Sequence, residues 1–221
     1  MSWEESKALT PIKRDFLTAF FERVPNFFLT GGSALGIFYL QHRLSYDLDF
    51  FTTAGDVQWH ILDNEVRDIS NGIGAVCESL TASPTFRRYE LSRGDEREIL
   101  DFVAEQVPQI DEQKERFGPI SVDTLREIMV NKICTLIGRC EIKDLVDLYF
   151  MNMRGLRVRD HIEDARMKEG GLDPAMIAYL LDRVRIDHIP DYVLEPIDAD
   201  DLRIFIADLQ RELADLSFPE D

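Results

Sequence analysis

The run Tyr46–Phe51, Tyr-Asp-Leu-Asp-Phe-Phe, restricts the fold of this chain more than any other stretch. Along a strand successive side chains point to opposite faces, so Asp47 and Asp49 project together while Leu48 and Phe50 face the other way. Two carboxylates then share one small space. At roughly 4 Å and an effective dielectric of about 20 their repulsion is on the order of 4 kcal/mol, so the pair calls for a cation or a shared proton. Mg²⁺ is the natural occupant: it takes carboxylate oxygens together with waters and substrate phosphates, which makes such a strand a platform for a nucleoside triphosphate.

Upstream, Phe27–Thr30 reads as a short buried strand, Gly31-Gly32 as a turn, and Ser33 as the cap of a helix running to about His42. A glycine pair between strand and helix lets backbone amides approach phosphate oxygens, with the helix dipole adding to the attraction. Ser33 can supply a hydroxyl as well as a cap, so Gly31, Gly32 and Ser33 are expected to bind the nucleotide, Ser33 with Gly32 holding the β and γ phosphates. The plain alternative is a tight turn with Ser33 as a cap, and both readings are compatible. A third carboxylate is needed if a second metal ion is to activate an attacking hydroxyl. Asp101 is the candidate, set in the strand-like Glu98–Ala104 between Leu100 and Phe102.

Around this segment the pattern predicts an amino-terminal helix opened by Pro11, a helix from about Asp56 to Ile69, and extended segments at Ala75–Leu80, Thr85–Leu91 and Glu98–Ala104 that complete a mixed sheet. Beyond Val107 helical periodicity takes over, with helices expected at 124–139, 143–153, 158–168, 174–185 and 199–216. The fold class is therefore α/β (α+β): a sheet domain over 1–107, followed by a mostly helical domain over 108–221 that is expected to complete a substrate cleft.

Composition narrows the function. Lys and Arg total 25 against 42 Asp and Glu, a formal charge of −17 that disfavours broad nucleic-acid binding. Much of the excess is local, since residues 186–221 alone carry a net −9. The amino terminus lacks a basic start and an apolar stretch, and the longest uncharged, mostly apolar run, Phe27–Leu40, is 14 residues with three glycines, too short to span a bilayer. Cys77, Cys134 and Cys140 form neither a Cys-x-x-Cys pair nor a zinc series with the histidines. These features lead us to expect a soluble cytoplasmic protein with reduced structural cysteines.

The stretch from Leu29 to Phe51, with Gly31-Gly32-Ser33, His42-Arg43, Ser45 and Asp47-Leu48-Asp49-Phe50-Phe51 in order, resembles the AbiEii/AbiGii toxin family of polymerase-β-like nucleotidyltransferases. A later helix followed by Lys143-Asp144-Leu145-Val146-Asp147-Leu148 extends the resemblance over about the first 150 residues. The resemblance implies a polymerase-β-like catalytic domain, two-metal binding by the aspartates with Mg²⁺ as cofactor, an NTP donor, an RNA or other hydroxyl acceptor, and a cognate antitoxin. It also suggests Lys132 as a phosphate contact, with Arg139 beside it on the same helical face and Arg43 reaching the same triphosphate. Asp144 and Asp147 match the later motif, as anchors for the helical half or as site residues. Two rivals stand beside this reading. One is a glycosyltransferase that binds a metal and a sugar nucleotide through Asp-x-Asp; the other is a catalytically silent nucleotide-binding toxin–antitoxin module.

Overall fold

The computed structural model describes residues 3–217, so Met1, Ser2 and the last four residues of the acidic tail lie outside the described residues. The chain forms two compact units, Met1–Pro108 with Glu112–Thr124, and Gln109–Asp111 with Leu125–Asp221.

In the first unit Thr10 caps α1 (Pro11–Arg23), its hydroxyl oxygen accepting from the Lys13 amide at 3.3 Å, while Pro11 occupies the first turn, where a missing N–H breaks no bond. The chain continues through β1 (Phe28–Thr30), the single turn α2 (Gly31–Ala34), β2 (Asp47–Thr52), α3 (Trp59–Gly72), β3 (Val76–Ala82), β4 (Phe86–Arg93), β5 (Glu96–Ala104), β6 (Glu115–Phe117) and β7 (Ile120–Val122). The strands build a mixed seven-stranded sheet in the order β3-β4-β5-β2-β1-β7-β6. The pairs β2–β5 and β1–β7 are parallel, and the other four are antiparallel.

The sheet's register is locked from its apolar face. Phe50 and Phe102 pair across β2 and β5 and stack at 4.6 Å between ring centroids. From α1, Phe20 lies 4.8 Å from Phe50 and 5.4 Å from Phe102, and Phe16 meets Phe50 edge-on at 6.0 Å. All four rings are fully buried. Burying one such ring contributes roughly 1.5–3 kcal/mol, and a one-residue slip of β2 would exchange Leu48 and Phe50 for Asp47 and Asp49 on this face.

Two expectations are corrected here. The helix beginning at Ser33 in fact starts at Gly31, and after Ala34 it widens into a π-helical turn, Leu35–Tyr39, in which the Leu40 amide donates to the Leu35 carbonyl at 2.9 Å. Gln41, with φ 55°, ends it. The chain beyond Val107 is also not yet helical: Gly118, at φ 63°, turns β6 into β7, and Ile120 and Val122 bury completely as β7 joins β1. Residues 112–124 thus return to the sheet, past the expected boundary at 107. On the far edge, β3 carries a bulge between Ser79 and Thr81.

The second unit is helical, with α4 (Leu125–Gly138), α5 (Ile142–Met153), a 3₁₀ turn at Val158–His161 running into α6 (Ile162–Lys168), α7 (Pro174–Leu181) and α8 (Ala199–Ser217). Asp173 caps α7 by accepting from the Ala175 amide at 2.9 Å, with Pro174 in the first turn. Charge is buried inside this unit. The Lys132 ammonium sits between Asp144 at 2.8 Å and Asp147 at 2.7 Å, and both carboxylates have no exposed side-chain surface. Lys168 pairs with Glu127, which also accepts from the Ile110 and Asp111 amides at 2.8 Å each. Among the described residues, no helix is long and apolar enough to cross a membrane.

All three cysteines are free thiols. Burial pushes the Cys134 thiol up to about 11 and raises Cys77 and Cys140 in the same direction. Cys134 should therefore alkylate slowly at neutral pH, its rate rising about tenfold per pH unit up to its pKa; mass spectrometry of iodoacetamide-treated native protein across pH 7–10 reads this directly. Replacing Phe102 with Ala should cost about 3–5 kcal/mol, seen as a lower urea midpoint.

Candidate active site

Opposite the aromatic face, β2 and β5 present their acids. In β2 the residues alternate between half-exposed and buried, with Asp47 and Asp49 on the open side. Because β2 and β5 run parallel with Asp49 directly across from Asp101, the third carboxylate stands beside the second. One carboxylate oxygen from each of Asp47, Asp49 and Asp101 lies within 4.8 Å of the others. Among the described residues this is the one group of three or more acidic, histidine or cysteine side chains close enough to hold an ion together. Three carboxylates in that space repel one another by several kcal/mol at an effective dielectric of about 20.

The glycine corner is built around the same acids. Thr30 pairs with Asp49 across β1 and β2, and the next residue, Gly31, adopts φ 68°. A Cβ at Gly31 would lie 2.5 Å from Asp49 Oδ2, so a side chain there would strain the left-handed backbone and push the Asp49 carboxylate aside. At Gly32 a Cβ would collide with the Arg43 guanidinium and stand 3.2 Å from Ser45 Oγ. Thr30 makes no side-chain cap to α2, which leaves the first-turn amides of Gly31–Ala34 unclaimed by that side chain.

Each residue expected in the site has a definite place. Ser33 is fully buried, and its hydroxyl donates to the backbone carbonyl of Asp47; it ties the corner to β2 and does not cap the helix. Arg43 is buried as well, donating to the Leu44 carbonyl at 2.9 Å beside Gly32. Lys132 and Arg139 belong to the second unit, where Lys132 is engaged by Asp144 and Asp147, and Arg139 Nε lies 3.2 Å from Asp144.

Several contacts have no counterpart in the sequence pattern, among them that of Ser45, which figured only as a member of the motif. Ser45 Oγ donates to Asp47 Oδ1 at 2.7 Å, and the Ser45 carbonyl accepts from Lys13. Lys13 pairs with Glu98 at 3.0 Å, both nearly inaccessible, and Thr10 donates to the same carboxylate at 2.8 Å. Burial raises the Glu98 pKa, with the Lys13 charge pulling it back. Arg88, on β4 directly across from Asp101, holds both oxygens of that carboxylate, Nε to Oδ1 at 2.7 Å and Nη2 to Oδ2 at 2.6 Å. The hydrogen bond to Asp101 raises the Arg88 pKa, partial burial opposes it, and the charges of Asp101, Asp47 and Asp49 add to the rise.

Three strand-borne carboxylates beside a glycine corner form an arrangement whose oxygens could hold a divalent ion. The sequence profile described as "Nucleotidyl transferase AbiEii toxin, Type IV TA system" matches residues 15–220. The chain belongs to that family and is a nucleotidyltransferase. A comparison with curated protein sequences gives no significant match. Among solved structures, JHP933 from Helicobacter pylori is similar at a TM-score of 0.57 and 17% identity, covering 92% of this chain and 91% of that one. A putative nucleotidyltransferase from H. pylori gives 0.56 and 16%, covering 92% and 93%. MenT4, a nucleotidyltransferase toxin from Mycobacterium tuberculosis H37Rv, gives 0.59 and 17%, covering 94% and 83%. At these identities the likeness shows the shared fold. Family membership also decides against the glycosyltransferase alternative.

Gly94 provides a control for the corner, since it too has a positive φ of 60° but nothing near its absent Cβ. Gly94→Ala should cost only the left-handed strain, about 1–2 kcal/mol. Gly31→Ala should cost more in urea melts and lower nucleotidyl transfer at least about tenfold by displacing Asp49.

Proposed function

We propose that this protein transfers a nucleoside monophosphate from an NTP to a hydroxyl acceptor, with Mg²⁺ as cofactor held by Asp47, Asp49 and Asp101. The observation that carries the reading is the convergence of the three carboxylates within 4.8 Å, across two parallel strands. The donor set is all oxygen and the cradle opens beside the glycine corner, which suits Mg²⁺ with its waters and substrate phosphates. When bound there, Mg²⁺ supplies charge neutralisation for the triphosphate and a lowered pKa for a ligated hydroxyl.

The rest of the work falls to this chain's own groups. Ser45 fixes the Asp47 carboxylate, Ser33 fixes its backbone, and Gly31 leaves Asp49 the space it occupies. The first-turn amides of α2, uncapped by Thr30, are suited to oxygens of the β and γ phosphates. Asp101 takes the proton of the acceptor hydroxyl as its oxygen forms the bond to the α-phosphorus, and pyrophosphate leaves with the electrons of the broken P–O bond.

The family's description as a toxin of a type IV toxin–antitoxin system supports an antitoxin as cellular counterpart; the proposal also takes RNA as the acceptor, in the cytoplasm. With a net charge of −17, contact with RNA would depend on local cationic groups. Asp47→Ala should lower transfer of labelled NTP to acceptor by about a thousandfold with the fold intact. A folded variant at the wild-type rate would refute the metal role, and Mg²⁺-dependent NTP binding without transfer to RNA, protein or small acceptors would favour the silent-module alternative.

A further inference from the structure

The acids of the proposed metal site are not the whole of the row to which they belong. Across four adjacent strands, Thr30, Asp49, Asp101 and Arg88 follow one another as direct register partners. The row thus passes from acids to a cation at Arg88, and continues to Thr81 on β3. Arg88 grips Asp101 with two parallel hydrogen bonds, the arrangement in which a guanidinium holds a carboxylate in one orientation. The two partners differ in surroundings, since the Asp101 side chain is 8% exposed and that of Arg88 44%. Beyond this grip the guanidinium has the Phe86 ring, 5.6 Å from Arg88 Cζ to its centroid. A structural pair sealed in a core would bury both members, whereas here the cation stands at the open side of an acidic cluster.

We propose that Arg88 is a positioning residue that acts as the resident counter-ion of Asp101, orienting the third carboxylate and weakening metal-ion binding at the cluster while no nucleotide is present. This rests on the metal reading of Asp47, Asp49 and Asp101 given above. Its physical basis is competition. Two cations drawn to one carboxylate repel each other, and the guanidinium satisfies both Asp101 oxygens at 2.7 and 2.6 Å. A triphosphate brings several negative charges, which restores the attraction for a divalent ion. The resting enzyme is thus poorly charged with metal, and ion and nucleotide enter as a unit. Lysine at this position would keep the charge but could not hold both oxygens, so charge and orientation are separable.

The test measures Mn²⁺ affinity of the nucleotide-free protein by electron paramagnetic resonance, alongside nucleotidyl transfer, for wild type, Arg88→Gln and Arg88→Lys. Arg88→Gln should bind Mn²⁺ about tenfold more tightly, as removal of one like charge near a half-exposed site requires, yet transfer at least about tenfold more slowly. Arg88→Lys should bind Mn²⁺ within about twofold of wild type and still transfer slowly, because a single ammonium does not fix the Asp101 plane. A structural role alone would weaken both readouts together. Folded Arg88→Gln protein with unchanged or weaker Mn²⁺ affinity overturns the counter-ion role, and Arg88→Lys protein with full activity overturns the orienting role. Should Arg88→Gln fail to fold, Arg88→Met takes its place in the Mn²⁺ measurement with the same expected and overturning results, and the lysine variant tests the orienting role by its transfer rate. Wild-type protein that binds no Mn²⁺, with or without NTP, instead overturns the metal reading itself.

Discussion

The parallel pairing of β2 with β5 governs the rest of this structure. It sets Phe50 on Phe102 on one face and Asp49 beside Asp101 on the other, so a single register serves both the core and the proposed site. Three carboxylates in one small space are unfavourable. They are held together from beneath, by aromatic burial that no alternative register can match without placing charge in the core. The enzyme's acidic triad is in this sense the reverse side of its hydrophobic core.

Much of this was legible in sequence because it rests on short-range periodicity. The alternation of Asp47, Leu48, Asp49 and Phe50 dictates the two faces of β2, and the structure keeps them. Asp101 was legible as an acid in an apolar strand, but its place beside Asp49 depends on β5 pairing with β2 across a gap of some fifty residues, which no local pattern encodes. Arg88 was closer to reach. The tight turn at Gly94–Asp95 pairs Arg93 with Glu96, and stepping back along that hairpin brings Arg88 opposite Asp101. The three-residue strands β6 and β7 are too short for any period to register, and Gly118-Pro119 was their only local clue. Ser33 was read as a cap because local rules see only the nearby amides, while its actual partner, the Asp47 carbonyl, is fourteen positions away.

Buried charge recurs in both units. Lys13–Glu98 in the first, with Lys132–Asp144–Asp147 and Lys168–Glu127 in the second, are all almost inaccessible. Desolvating such groups cancels much of their mutual attraction, so they add little net stability over apolar packing, while loss of one partner alone leaves a charge stranded. Their effect is to make wrong packings costly. Lys13 shows the use of this, since the same ammonium that neutralises Glu98 also holds the Ser45 carbonyl, and Ser45 in turn fixes Asp47. Helical periodicity marked the face that carries Lys132, but α4 buries residues around most of its circumference, and periodicity alone could not separate a solvent-facing lysine from an enclosed one.

The bulge between Ser79 and Thr81 reaches beyond the fold of a single molecule. β3 is the outer strand of the sheet and leaves Val76 and Leu80 in contact with solvent, an invitation for another chain to add itself as an eighth strand. A bulge re-aims the backbone partway along that edge, so an incoming strand could match the amides and carbonyls on one side of it but not continue across. The molecule thereby gains protection against self-association through backbone geometry alone, one strand away from Arg88, the register partner of Thr81.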